Sequence, residues 1–211
     1  MKTKWWTWIM LAAGIAAGLI VYPDMPDRLP VHWGISGEAD RFADKTAGLF
    51  LLPGIALLLS LFMEVSAGLE ARRKHGEANL PNMYIIRNIV VLGLMLLQAY
   101  VIYFGYGGQL PISKVMAIVL GLIFIVTGNY MPRLRPNRFV GIRTPYTLSN
   151  PDAWRKANRL GGMLFAAGGA LMLLTLALPT QLQTNVLPVL IVLTALSQLY
   201  ARLKAGNAPK P

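Results

Sequence analysis

Six long runs of apolar residues, almost free of charged side chains, recur along the chain. An α-helix rises about 1.5 Å per residue, so about 20 residues cross a hydrocarbon core of about 30 Å. The predicted spans are 5–22, 47–67, 88–105, 115–131, 160–178 and 186–200, the last of them short and containing Pro188. This pattern predicts an all-α membrane protein, a bundle of about six transmembrane helices.

The first run has a second interpretation. Lys2 and Lys4 before an apolar stretch also describe a cleaved signal peptide. The run stays apolar to Tyr22 and lacks a small-residue cleavage site followed by a polar mature start. An uncleaved membrane anchor therefore fits better.

Composition supports a membrane protein, and the distribution of charged residues predicts its topology. Hydrophobic residues make up 55% of the chain and charged residues 14%, which is more apolar surface than a soluble domain of this size buries. Most of the cationic side chains that give the net charge of +11 lie in alternate segments between the spans. Because cytoplasmic segments of membrane proteins are enriched in Lys and Arg, both termini are predicted to be cytoplasmic. Anionic lipid headgroups account for this basicity, so we expect membrane lipids as partners and no direct contact with nucleic acid.

The predicted outer loop, residues 23–46, is called the acidic loop below. It holds five of the nine acidic residues, three prolines and two glycines, which favour a compact, ordered loop without a regular helix. His32 lies among these acids, a composition that offers ligands to a divalent metal. The spacing matches no metal motif, so we predict an interfacial histidine, no metal and no cofactor.

The predicted inner loop, residues 132–159, is called the arginine loop. Ser149 and Asp152 match a capping box, and Pro151 suits the first position of a helix, so a helix is predicted to begin near residue 150. That helix would place Arg155 and Arg159 on one face and Trp154 at the depth of the lipid headgroups.

Candidate chemistry inside the spans is sparse. Glu64 is the acid that falls within a span, and snorkelling toward Arg72, Arg73 or Arg87 is its simpler interpretation. No paired acids, His-Glu motif or nucleophile beside a base occur at a suggestive spacing, so no catalytic residue is assigned and the chain is not expected to be an enzyme. Gly14 with Gly18, and Gly162 with Ala166 and Ala170, have the spacing that lets helices approach closely.

The two loops carry a family resemblance. The acidic loop resembles the DUF1648 domain in the residues Tyr22, Pro23, Met25, Pro26, Asp27, Pro30, Val31, His32, Trp33, Gly34, Gly37, Asp40, Arg41 and Lys45. The arginine loop resembles the signature of the SdpI-type immunity proteins in Asn137, Gly141, Ile142, Arg143, Thr144, Pro145, Thr147, Leu148, Trp154, Asn158, Arg159, Gly161 and Gly162. The resemblance implies a bacterial cytoplasmic membrane protein that protects its host from a secreted, membrane-active peptide toxin. It also implies signalling by sequestration of a transcriptional repressor.

The resemblance implies two sets of site residues. The candidate toxin-binding residues of the acidic loop are Pro26, Asp27, Pro30, His32, Trp33, Gly34, Asp40 and Arg41. The candidate partner-binding residues of the arginine loop are Asn137, Gly141, Arg143, Thr144, Pro145, Trp154 and Arg159. The implied division is a DUF1648-like region (1–67), two central spans (68–131), the SdpI-type loop with the last two spans (132–205) and a disordered tail (206–211).

Two other functions compete with immunity. A small transporter or efflux component would use Glu64 and Gln98 in a central path. A membrane enzyme acting on lipid or cell-wall intermediates has less support, because no catalytic pair is identified.

Overall fold

Six long helices form the bundle in the computed structural model, which describes residues 3–34, 36–73 and 76–206. In this part of the chain, six helices are long and apolar enough to cross a membrane. They are α1 (Thr3–Val21), α2 (Lys45–Ala71), α3 (Leu80–Gly105), α4 (Ile112–Tyr130), α6 (Pro151–Leu174) and α7 (Thr180–Gly206); between α4 and α6 lies the short α5 (Pro145–Ser149). The prediction of about six membrane helices is confirmed.

The helices extend beyond the apolar runs from which they were predicted. Helix α3 begins at Leu80 rather than at 88, and α6 begins at Pro151, at the helix start predicted near residue 150 and before the apolar run that begins at 160. An apolar run ends at its first charged residue. A helix can include a charged residue when the side chain pairs with another protein group or reaches water. Gly206 closes α7, so the predicted tail does not begin there, and residues 207–211 lie outside the described residues.

The acidic loop contains a β-hairpin, which the all-α prediction missed. Strands β1 (Arg28–Trp33) and β2 (Ala39–Asp44) pair antiparallel, with Leu29 opposite Ala43 and Trp33 opposite Ala39. The register shifts between Pro30 and Trp33, where the proline cannot donate to the ladder. Gly37 adopts a φ of 85° in the turn, a conformation that favours glycine.

The two loops lie at opposite ends of the bundle. The hairpin follows α1 and precedes α2, and the last turn of α3 contacts it where Gly105 meets Met25 and Leu29. We call this the hairpin end. At the other end, Leu134 and Trp154 of the arginine loop pack in one cluster with Ala67 of α2 and Met83 of α3. We call this the arginine end.

Helices α4 and α6 approach each other through glycines. A Cβ added to Gly128 would lie 2.5 Å from the carbonyl oxygen of Gly162, and one added to Gly169 would lie 2.5 Å from that of Gly121. Both distances are far below van der Waals contact, so the two backbones touch with no room for a side chain. The close helix approach predicted at Gly162 is thus present. On α4 the contact is made by Gly121 and Gly128.

Candidate binding sites at the two ends of the bundle

The hairpin is anchored to the helices rather than hanging free. Leu29 is fully buried and touches Gly48 of α2, where a Cβ would collide with the leucine. The Asp44 carboxylate caps α2 by accepting hydrogen bonds from the backbone amides of Thr46 (3.0 Å) and Ala47 (3.1 Å). These amide bonds hold the pKa of Asp44 below its usual value. The hairpin therefore has a fixed position above the helix ends.

His32 and Asp40 form a cross-strand pair. The Nδ1 atom of His32 lies 2.6 Å from a carboxylate oxygen of Asp40, and the hydrogen bond lowers the pKa of Asp40 below 3.8. In the described part of the chain, no three His, Cys, Asp or Glu side chains are grouped to hold a metal ion. His32 instead pairs with the carboxylate of Asp40 on the neighbouring strand, which stabilises the hairpin.

An apolar cavity of about 400 Å³ lies between the hairpin and the helices. Its hairpin wall comes from Pro30, Val31, His32, Trp33, Gly34 and Gly37. Its helical wall comes from Gly48, Leu51, Leu52, Leu97, Tyr100, Val101, Ile112, Ser113, Met116, Thr184, Leu187, Pro188 and Ile191. A cavity of this size, mostly apolar with a few polar groups, is typical of a ligand site.

Trp33, one of the residues that line the cavity, packs on aromatic side chains of α3. Its ring packs against Tyr100 (5.4 Å between centroids) and edge-on to Phe104 (6.2 Å) of α3. The indole Nε1 is buried and has no hydrogen-bond partner within residues 3–34, 36–73 and 76–206. A buried N–H without a partner is costly.

The predicted residues of the acidic loop divide into two groups. Pro30, His32, Trp33 and Gly34 line the cavity, and Asp40 joins them through His32. The other three candidates, Pro26, Asp27 and Arg41, are exposed and do not line it. Sequence reasoning missed the helical wall, because apolar residues of a span carry no signal that separates a cavity lining from a lipid-facing surface.

The arginine loop is a folded unit with a polar interior. The Asn137 side-chain oxygen accepts hydrogen bonds from the amides of Phe139 (2.9 Å) and Val140 (2.8 Å). Asn158 accepts one from the amide of Ile142 (2.8 Å), beside Gly141, whose φ is 110°. Both asparagines are fully buried, so they stabilise the loop and are not available to a partner.

The long helix of this loop begins at Pro151, as predicted, but its cap is a different residue. Asn150, rather than Ser149, caps α6 by accepting from the amides of Asp152 (2.9 Å) and Ala153 (3.1 Å). The capping box is formed by Thr144 and Thr147, one helix earlier, at the start of α5. Ser149 instead ends α5, because the chain between Pro145 and Pro151 forms a separate turn of helix.

Trp154 is an interior residue. It is fully buried, and its indole Nε1 donates a 2.6 Å hydrogen bond to the carbonyl oxygen of Leu134. Protein therefore surrounds the ring, and the predicted position of Trp154 at the depth of the lipid headgroups stays a prediction. Of the seven candidates in the arginine loop, Arg143, Pro145 and Arg159 are exposed.

The arginine end has its own cavity, of about 760 Å³, between the arginine loop, α4, α6 and α7. Arg138 and Arg143 lie at one side, and the Arg143 guanidinium donates to the carbonyl oxygen of Arg138. The remaining lining is Thr127, Met131, Val140, Gly141, Ile142, Leu148, Phe165, Gln198 and Leu199.

Arg87, Glu64 and Gln98, polar side chains inside the spans, make hydrogen bonds between helices. Arg87 is fully buried, donates to Glu64 at 2.6 Å and to the backbone oxygen of Lys4 at 2.8 Å, and covers the ring of Tyr84. Of the three partners predicted for Glu64, the structure thus confirms Arg87. Gln98 donates to the carbonyl oxygens of Gly14 (2.8 Å) and Leu49 (3.2 Å), which ties α1, α2 and α3 together.

These features define a multi-pass membrane protein with a hairpin-covered apolar cavity at one end and a folded basic loop at the other. Comparison with known proteins shows two family similarities and one curated relative. Residues 9–57 match DUF1648, a domain of unknown function, and residues 133–200 match the SdpI/YfhL protein family. The immunity protein SdpI of Bacillus subtilis (strain 168) is 23% identical over 163 residues, which cover 76% of this chain and 75% of that relative. No solved structure matches.

The chain is thus similar to the SdpI-type proteins in both matched regions, and its six apolar helices make it a multi-pass protein of the bacterial cytoplasmic membrane.

Proposed function

We propose that the protein confers immunity by binding a secreted, membrane-active peptide toxin at its hairpin end. In this proposal the hairpin faces the outside of the cell, and both termini and the arginine loop are cytoplasmic. The sorting of the cationic residues to one face supports this orientation. The family relationship supports immunity as the function.

The observation that carries the proposal is the cavity beneath the hairpin. Apolar side chains of a toxin would leave water or lipid for a preformed site of about 400 Å³. Held there, the toxin would be withdrawn from the bilayer surface on which it acts.

Signalling through a cytoplasmic repressor is the second part of the proposal. The exposed residues Arg143, Pro145 and Arg159 are the part of the predicted partner-binding set that a repressor can reach. The buried members of the set shape the surface on which these three lie. Transport is less well supported, because Glu64 and Gln98 both serve contacts between helices.

Protection should depend on the hairpin. We expect expression in a sensitive bacterium to raise survival against a panel of secreted membrane-active peptides. Replacing His32, Trp33 and Asp40 together with alanine should lower that survival by about tenfold or more, because the cavity wall and the cross-strand pair are both lost. Survival is measured by colony counts, and membrane levels of each variant by immunoblot.

The matched control is Trp6→Ala. Trp6 is 57% exposed and lies in α1 near the arginine end. The Trp6→Ala variant should protect as well as the unmodified protein. Protection that persists in the triple variant, or an unmodified protein that protects against no peptide of the panel, would refute the proposal.

A further inference from the structure

We propose that the cavity at the arginine end is a binding site for one anionic phospholipid, with the phosphate at Arg138 and Arg143 and an acyl chain along α6 and α7. This inference does not depend on the toxin proposal. It concerns the other end of the molecule and a different class of ligand.

The charge of the cavity is concentrated on one side. Arg138 and Arg143 are exposed, and the bond from the Arg143 guanidinium to the Arg138 carbonyl oxygen keeps the two residues together. A guanidinium has five N–H donors, so Arg143 retains donors for a phosphate. No acidic residue lines this cavity among the described residues, so an anion meets no repulsion there.

Most of the other residues that line the cavity are apolar. Met131, Ile142, Phe165 and Leu199 line it. Phe165 is stacked on Phe124 of α4 at 4.9 Å between ring centroids, which fixes its position as a rigid wall. A free phosphate would leave this surface uncovered, whereas the chain of a lipid would cover it.

The depth of these residues fits a lipid at the membrane surface. Arg159 is the last charged residue of α6, and Phe165 lies six residues further into the helix, about 9 Å at 1.5 Å per residue. On α7, Leu199 immediately precedes Tyr200, and Arg202 is the first charged residue of that helix. The cavity thus begins where charged residues end and continues into the hydrocarbon region.

The volume is also adequate. About 760 Å³ falls in the range of small-molecule sites and accommodates a headgroup with the first part of a chain. Gln198 already donates to the carbonyl oxygen of Gly161 at 2.9 Å, which holds α7 against α6 at the side of the cavity. The site is therefore built by the contact between these helices as well as by the loop.

The test is native mass spectrometry of the purified full chain in detergent, titrated with dioleoylphosphatidylglycerol. The Arg138→Gln, Arg143→Gln double variant should bind this lipid about tenfold more weakly or worse, because two charge-assisted contacts are lost. The control, Arg155→Gln with Lys156→Gln, removes the same charge from exposed residues that do not line the cavity and should change affinity less than twofold. Equal weakening of both variants, or of neither, overturns the proposal.

A second pair of variants tests the acyl groove. Leu199→Trp would fill it and should weaken binding, whereas Leu203→Trp, on the same helix and similarly exposed but outside the cavity, should not. Dioleoylphosphatidylcholine should bind much more weakly than the anionic lipid. If inorganic phosphate displaces the lipid at comparable concentration and Leu199→Trp has no effect, the site takes free phosphate and the lipid assignment is wrong.

Discussion

Replacing Gly128 with alanine is expected to destabilise the bundle by about 2–3 kcal/mol, although one methyl group is all that is added. The new Cβ would lie 2.5 Å from the carbonyl oxygen of Gly162 and 2.6 Å from the amide nitrogen of Ala166. Both are backbone atoms of α6 and cannot turn aside, so the two helices must separate. The loss is measured as a lower midpoint of thermal unfolding in detergent.

The control for this prediction is Gly68→Ala in α2. In the described part of the chain, nothing lies within 4 Å of a Cβ added at Gly68. Alanine is also the better helix former by about 0.5–1 kcal/mol, so this variant should be as stable as the unmodified protein or slightly more stable. Equal midpoints for the two variants would show that α4 and α6 do not touch through Gly128.

Replacing Trp154 with alanine is expected to cost about 3–5 kcal/mol, the usual range for a large buried aromatic side chain. The ring is fully buried in the cluster that joins the arginine loop to α2 and α3, and its N–H satisfies the Leu134 carbonyl oxygen. We therefore expect the loop to lose its fixed structure. Limited proteolysis within residues 132–150 measures this directly, alongside the thermal midpoint.

Two further variants separate the contributions at this position. Trp154→Phe retains much of the ring but removes the donor, and should cost about 1–3 kcal/mol because the Leu134 oxygen is left unpaired. Trp5→Ala, at a tryptophan that is 60% exposed on α1, should have little effect on stability. If Trp154→Ala left the loop resistant to protease, the loop would not depend on this residue as its core.

The spans could be predicted from sequence because lipid demands long apolar runs, and hydropathy alone reveals them. The start of α3 could not be predicted, because the apolar run stops at Arg87. The sequence left three arginines as possible partners of Glu64, and the fold brings Arg87 beside it. The hairpin was missed for a related reason. Its pairing joins Leu29 to Ala43 across a turn, and its prolines argue against strands in a local reading.

The candidate site was predictable in part. The residues of the acidic loop that line the cavity, such as His32 and Trp33, belong to a recognisable motif. The opposite wall consists of residues such as Leu97, Met116 and Leu187, which look the same as lipid-facing residues in sequence. In the arginine loop the motif contains residues of two kinds. Asn137 and Trp154 are buried and stabilise the loop, whereas Arg143 is exposed on its surface.

The orientation of the two ends is the claim on which the proposed toxin site depends most directly. The chain has no cysteine, so single cysteines can be introduced without other changes. Ser36→Cys in the hairpin turn and Ser149→Cys in the arginine loop both replace exposed serines. Treated with a membrane-impermeant maleimide in intact cells, Ser36→Cys should be labelled and Ser149→Cys should react only after permeabilisation. Labelling of Ser149→Cys but not of Ser36→Cys in intact cells, or of both, would contradict a hairpin that faces the toxin from outside.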